Sequence, residues 1–400
     1  MKIAIIDHIG NFGGSSRVLR RLLPSFIKAD KNIKIDFFGS SESIERENFS
    51  EFKKLKNIRI FELSSLKLGS SPIAKKFKIN KVIELLRNTF SSLFKYLPNY
   101  LSGNLKKELE GKIINYDLVY FPWPFLIELP NLRSPIFATF HDFNYKYYFS
   151  GTPIYSKKRT NFLNKQIPLW LKRTTPIVSN YYIKNEIVKF YPKFKNKINI
   201  INLAPYSKAN KKTSKNNYGN YILYPTNLAS HKNLGPLIVS MSYLSKKIKN
   251  LKLILTGPNT EIIKGKATKI GLEYNEKDVN IEGLGYVSNQ KIEELIKNAR
   301  VVVSSSLYEA DNGPCTDAWI NGIPVAMANI PSNIEHIKTQ GVFAEIFDPF
   351  NPKDIYKKIY KIISNEKKYK KLAKTSSKNI SNFTWDKVGK EYFDLFKKKT

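Results

Sequence analysis

The strongest constraint on this chain is a rhythm. Short apolar runs alternate with longer amphipathic stretches, stop at a polar interval, and then begin again. The first series contains Lys2–Asp7, Ile33–Phe38, Asp117–Phe121, Ile136–Phe140, Ile177–Ser179 and Ile198–Asn202. A strand covered on both faces reads as a continuous apolar run, and its connections must supply the covering helices. Val18, Leu19, Leu22, Leu23, Phe26 and Ile27 recur at helical spacing and predict one such helix. Residues 206–220, YSKANKKTSKNNYGN, offer almost nothing to bury and read as a linker. Beyond it the spacing predicts strands at Tyr221–Pro225, Lys252–Thr256 and Val301–Ser304, with helices at Leu234–Leu244 and Ser288–Asn298 between them.

At 400 residues the chain exceeds what one core usually serves. The expected class is α/β, with two doubly wound Rossmann-like domains. The first is expected over 1–205, the linker over 206–220 and the second over 221–384. The amphipathic end of the chain, residues 385–400, is expected to form a helix that packs back on the first domain. Ser332 with Glu335 has the spacing of a capping box, and Asn351-Pro352 places proline at a first helical turn.

Composition narrows the setting. Hydrophobic residues make up 42% of the chain and aromatics 13%, enough for sizeable cores. The single cysteine, Cys315, excludes an intramolecular disulfide and suits a reducing compartment. The apolar run in MKIAIIDHIG breaks at Asp7 and His8, too early for a signal peptide, and no run of eighteen apolar residues exists. These features predict a soluble, cytoplasmic protein.

The formal charge is +34, and it is uneven. Residues 151–250 carry 19 Lys or Arg against Glu186 alone, whereas 301–350 carry Lys338 alone against six acids. Three readings stand: a general compositional bias, a surface drawn to an anionic membrane, and nucleic-acid binding. The last has least support, because neither zinc-finger spacing nor an aromatic RNA-binding signature accompanies the charge. Residues 65–112 include the Lys-rich KKFKINKVIELLRNTFSSLFKYL, which suits either a sheet or a membrane surface.

The acidic stretch is chemically the most informative. LYEADNGPCTDAW, 307–319, follows a predicted strand, and Pro314 suits the first turn of a helix that Gly322 and Pro324 would end. Asp317 then lies near the positive helix end and Glu309 on the loop above the sheet. The backbone amides of Asn312 and Gly313 would point the same way. Periodicity alone favours the plainer reading, in which Asp317 is an ordinary first-turn acid that suits the helix dipole.

The stretch resembles the E-x7-E motif of retaining glycosyltransferases of the GT-B type, family four. It keeps Glu309, Pro314 and the spacing, puts Asp317 for the second Glu, and replaces Gly-Phe-Gly by Ala310-Asp311-Asn312. YPTNLASHKNLGPLI, 224–238, resembles the family's diphosphate-binding segment, with Lys232 as its lysine and Asn227 where an arginine is usual. GNFGGSSRVLRRLL, 10–23, resembles its glycine loop with Gly13 and Gly14, and ATFHDF resembles its Thr-x-His-Asp run with His141 beside the donor sugar. IEGLGYVSNQ resembles the segment whose Gly285, Tyr286 and Val287 would face the nucleobase.

The resemblance implies a GT-B architecture, two domains facing a central cleft with the first on the acceptor side and the second binding the nucleotide-sugar, and transfer of a sugar from that donor to a glycan or lipid-linked glycan. It implies cell-surface polysaccharide synthesis, with an anionic membrane surface as a possible further partner. Lys232, Glu309 and His141 would carry catalysis. Gly13, Gly14, Asn227, Lys232, Gly285, Tyr286, Val287, Glu309, Asn312, Gly313, Pro314 and Asp317 would hold the donor, Asp317 at the ribose. No cofactor is implied, and no Asp-x-Asp pair or His/Cys cluster calls for a metal. The alternatives are a nucleotide-sugar epimerase of the same fold and a basic nucleic-acid-binding protein.

Overall fold

A computed structural model describes residues 1–8, 14–46, 49–66, 98–149, 151–207, 218–263 and 279–400. Gly13, the Lys-rich stretch as far as residue 97, and 208–217 of the expected linker lie outside the described residues.

The chain divides into two compact units. The first comprises Met1–His141, Tyr155–Asn202 and Trp385–Thr400; the second comprises Asp142–Ile154 and Leu203–Thr384. In the first, strands β1 (Lys2–Asp7), β2 (Lys34–Gly39), β3 (Ile58–Glu62), β4 (Leu118–Phe121) and β5 (Ile136–Thr139) pair in parallel. A hairpin, β6 (Tyr148–Phe149) with β7 (Thr152–Pro153), belongs to the second unit. Strands β8 (Thr175–Val178) and β9 (Asn199–Ile200) complete the first sheet, in the order β3-β2-β1-β4-β5-β8-β9. Ile3, Ala4, Ile5 and Ile6 are all fully buried, as a strand covered on both faces requires.

The helix Trp385–Lys399 closes the first unit against the helix Gly14–Ala29. Phe26 meets Tyr392 and Phe396 at ring distances of 6.0 and 5.7 Å. Gly389 permits the approach, because a Cβ there would lie 2.4 Å from the Ser25 Cβ. The Tyr120 hydroxyl and the Tyr392 hydroxyl both meet Thr139 Oγ1, at 2.8 and 3.1 Å, so the buried polar tips satisfy one another.

The second unit holds β10 (Tyr221–Pro225), β11 (Lys252–Thr256), β12 (Asn280–Gly283), β13 (Val301–Ser304), β14 (Val325–Ala328) and β15 (Glu345–Phe347). They pair in parallel in the order β12-β11-β10-β13-β14-β15. The strand order reverses between β1 and β4 in one sheet and between β10 and β13 in the other. At such switch points the connecting helices leave on opposite faces and open a crevice beyond the strand ends.

Helix ends follow local chemistry. The helix Gly313–Ile320 stops at Gly322, whose φ of +69° a side chain would resist. Gly322 donates to the Trp319 carbonyl and Ile323 to that of Ala318, closing a Schellman turn. Asn351 caps the helix Pro352–Ser364 through Lys353 and Asp354. Ser332 does not form the expected capping box. Pro331 takes the first helical position, leaving Ile330 as N-cap and Ser332 buried in the first turn. Among the described residues no helix is long and apolar enough to cross a membrane.

Candidate functional site

The second unit's switch point carries the strongest cluster of charge chemistry. After β10, the chain turns through Asn227, whose Oδ1 accepts the Ala229 amide at 3.0 Å. A single 3₁₀ turn, Ser230–Lys232, follows, and Asn233 leaves it at a φ of 50°. After β13 come Ser304, Ser305 and Ser306, all buried. Ser305 Oγ donates to the carbonyl of Lys232, and the Tyr224 hydroxyl does so as well, each at 3.0 Å. Leu307 N–H donates to the His231 carbonyl at 2.7 Å. The two loops are therefore tied backbone to backbone before any ligand is considered.

That bracing brings Lys232 Nζ to 2.6 Å from Glu309 Oε1, with the two side chains 17% and 16% exposed. Burial alone would drive both groups toward neutrality. Their mutual attraction outweighs it, leaving the ammonium raised above its ordinary range and the carboxyl lowered below its own. Ser306 also donates to Glu309. The result is an ion pair held on two fixed loops, with two ammonium protons and several carboxylate lone pairs left for a ligand.

Around it the unit places groups of lower charge. Burial, and then the Lys232 cation, lowers His231 to about 4, so its ring is neutral. Burial raises Asp142 to about 6, with Glu309 adding to the effect. Asp142 arrives on the crossing segment Asp142–Ile154. Phe143 N–H donates to the Tyr308 hydroxyl at 2.8 Å, and Phe149 lies 5.8 Å from His231 and 6.4 Å from Tyr308 between ring centres. Asp311, raised by burial, sits 3.3 Å from His336 Nε2.

The remaining expected donor residues are placed as follows. Asp317 is 2% exposed, and its Oδ1 accepts the Ser207 amide at 2.8 Å. Pro314 lies in the first helical turn and Gly313 opens it. Gly313 is pressed by Tyr206, whose ring would be 2.9 Å from a Cβ. Its amide donates to the Asp311 carbonyl at 2.9 Å and does not point outward as an anion site would require. Asn312, where the family motif has glycine, uses its side chain inward: Nδ2 donates to Ser304 Oγ at 3.0 Å and to Asn333 Oδ1 at 3.2 Å. Gly285 also spends its backbone internally, donating to Thr260 Oγ1 at 3.0 Å and accepting from Gly257 at 2.7 Å. Tyr286 is 53% exposed, and Val287 is packed against the core. Gly14 opens the helix after β1, and His141 follows β5, both in the first unit.

Sequence reading missed Tyr224, Ser305, Ser306, Tyr308 and Asp142. The run Ser304–Ser306 directly after an apolar strand was the available signal, since three buried hydroxyls must find partners. Among the described residues no three His, Cys, Asp or Glu side chains converge as a metal site would need.

Residues 206–379 match the family described as Glycosyl transferases group 1. An uncharacterized glycosyltransferase of Methanocaldococcus jannaschii is 24% identical over 179 residues, which cover 44% of this chain and 44% of that protein. The chain thus matches less than half the length of that relative. Among solved structures, Anabaena HepE in complex with UDP and glucose is similar over 100% of both chains, at a TM-score of 0.67 and 15% identity. Sucrose-phosphate synthase of Thermosynechococcus elongatus reaches a TM-score of 0.71 at 14% identity, over 100% of this chain and 98% of that one. A mutant of S. aureus TarM, in complex with fondaparinux, alpha-GlcNAc-glycerol and UDP, reaches 0.71 at 14% identity over 99% of both. At such identities the likeness establishes the fold, the two-domain α/β arrangement called GT-B.

Proposed function

We propose, on the premise that this chain belongs through residues 206–379 to the glycosyl transferases group 1 family, that it is a retaining glycosyltransferase. It moves a sugar from a nucleotide-sugar donor to a hydroxyl of a glycan or lipid-linked glycan, in cell-surface polysaccharide synthesis. The observation that carries the reading is the Lys232–Glu309 pair at the switch point of the second sheet.

As the glycosidic bond breaks, negative charge grows on the departing diphosphate. A fixed ammonium placed there lowers the barrier because the charge is met without reorganising solvent. Lys232 keeps its proton and has two N–H groups beyond the one given to Glu309. Glu309 accepts sugar hydroxyls on its remaining lone pairs, and Asp317, about one turn into the helix Gly313–Ile320, takes the ribose. The HepE structures with UDP and with UDP-glucose, and TarM with UDP, support a uridine nucleotide as the first donor to try. Glu309 and Asp317 stand on the donor side, which favours front-face substitution over a covalent intermediate. No metal is needed for this arrangement, because Lys232 meets the leaving charge.

The basic surface supports a membrane-facing acceptor. Anionic lipid attracts each nearby Lys or Arg by about 1 kcal/mol. The first unit presents the helix Lys157–Arg173 with exposed Leu169, and the helix Tyr181–Phe190 with exposed Tyr181. Cosedimentation with anionic vesicles that is lost in high salt is the expected result. Equal, negligible binding to neutral and anionic vesicles would leave the charge as composition alone.

The test of the function is a panel of UDP-, GDP- and ADP-sugars followed by thermal shift, since a ligand of the folded state raises its stability. One nucleotide class should stabilise the protein. Epimerisation of that donor without any acceptor would favour the epimerase reading and discard this one.

A further inference from the structure

The helix Lys157–Arg173 of the first unit carries a stripe of alternating charge and apolar surface. Lys158, Phe162, Lys165 and Leu169 recur at helical spacing, so all four stand on one face. Both lysines are exposed, Phe162 is half-buried and Leu169 is 47% exposed.

Beside this face the loop that follows β4 is pinned to the helix. Trp170 Nε1 donates to the Ile127 carbonyl at 3.1 Å, and Gln166 Oε1 accepts the Leu129 amide at 3.3 Å. Arg173 donates to Asn131 Oδ1 at 3.3 Å. Between helix and loop lies a cavity of about 340 Å³, lined by Glu128, Lys158, Asn161, Phe162, Lys165 and Gln166.

The lining is rich in donors. Gln166 has spent its oxygen on Leu129, which leaves its two amide N–H groups for the cavity. The ammonium groups of Lys158 and Lys165 have no partner among the described residues. Glu128, the carboxylate of the lining, has the Lys106 ammonium 3.9 Å away, which offsets its charge. Two unpaired ammoniums with amide donors between them suit a ligand of high negative charge and several acceptor oxygens. A phosphomonoester has both, with a charge of about −1.5 to −2 at neutral pH and three terminal oxygens.

The same stripe indicates where the phosphate comes from. Beyond the cavity it continues to the exposed Leu169 and ends near Lys172. A helix face that mixes lysines with exposed apolar groups lies along the interface of an anionic bilayer.

We propose that the cavity between the helix Lys157–Arg173 and the loop after β4 is a headgroup site for a lipid phosphomonoester. It rests on the membrane-facing reading for the source of the phosphate, and not on sugar transfer.

The experiment is cosedimentation of the full chain with two kinds of phosphatidylcholine vesicle, one containing phosphatidic acid and the other phosphatidylglycerol, matched in zeta potential. Matching cancels the general attraction of a basic protein, so the ratio of the two affinities reads the cavity alone. The parent should prefer phosphatidic acid about tenfold, the scale of one or two added hydrogen bonds to a charged group. Lys158→Gln with Lys165→Gln should abolish the preference. Lys157→Gln with Lys172→Gln removes equal charge from the same helix outside the cavity; it should weaken binding to both vesicles and leave the ratio unchanged. Soluble glycerol 3-phosphate should compete with phosphatidic acid vesicles in the parent. Equal affinity of the parent for the two vesicles, or the same ratio in both double variants, overturns the headgroup site and leaves the membrane-facing reading standing. Negligible binding to either vesicle overturns both. Binding of glycerol 3-phosphate without any preference between vesicles overturns the lipid as the source.

Discussion

Replacing Lys232 by methionine keeps most of the side-chain volume and removes the charge, which leaves Glu309 buried opposite a thioether. Removing one partner of a buried ion pair costs about 3–5 kcal/mol, because the other charge remains desolvated. Glu309 retains 16% of its side-chain exposure and the hydrogen bond from Ser306, so the lower end of that range applies, about 3 kcal/mol. For a unit of this size that is a fall in melting temperature of roughly 6–12 °C.

Glu309→Gln should cost less, about 1–2 kcal/mol, because the amide oxygen still accepts from the ammonium. The double variant removes both charges and should recover part of the loss, giving a coupling of about 2 kcal/mol in a double-mutant cycle. The sign of the pH effect follows from the carboxyl. In the parent its pKa is depressed, so its contribution is present above the ordinary carboxylate range and lost as pH falls through the depressed value. In Lys232→Met burial dominates and the pKa rises. The penalty is then largest at neutral pH and fades on acidification. Urea melts of the four proteins at pH 5 and pH 7.5 measure both effects. A coupling under 0.5 kcal/mol, or a deficit that does not change with pH, would refute the reasoning.

Glu309→Gln should lower transfer strongly and leave nucleoside diphosphate affinity near the parent's, whereas Asp317→Asn should weaken the diphosphate itself; calorimetry with free UDP, GDP and ADP separates them, and like behaviour sinks the division of roles. Gly389→Ala should destabilise the first unit by about 1–3 kcal/mol through overpacking, because its Cβ would meet Ser25 at 2.4 Å. A thermal melt unchanged within error would show that the two helices can separate freely.

The strands were legible because both faces of each sheet are covered. Val301–Val303 or Ile3–Ile6 cannot be read as anything half-exposed. Lys232 and Glu309 were legible through motif spacing, and the two switch-point loops bring them together across 77 residues. The crossing segment Asp142–Ile154 was not legible. Its place in the second unit depends on the Phe143 amide meeting Tyr308 and on ring contacts to His231, and neither leaves a periodic trace. The amides of Gly285 and Gly313 were expected to face ligand, but backbone groups have no sequence signature of their own, and both are spent internally, Gly285 on the Thr260 hydroxyl and Gly313 on the Asp311 carbonyl. Asn227 shows a related limit, since a polar residue in a cation's place reads as a lost contact until its turn with Ala229 is seen.

The central claim is that sugar leaves a nucleotide donor against the charge of Lys232. The direct measurement is release of nucleoside diphosphate from the donor that stabilises the protein, for the parent and for Lys232→Ala, with transfer product followed by NMR of its anomeric proton. The account predicts turnover by the parent with the donor's anomeric configuration retained, and a loss of roughly 100-fold or more in Lys232→Ala. Equal diphosphate release by the two proteins would contradict it.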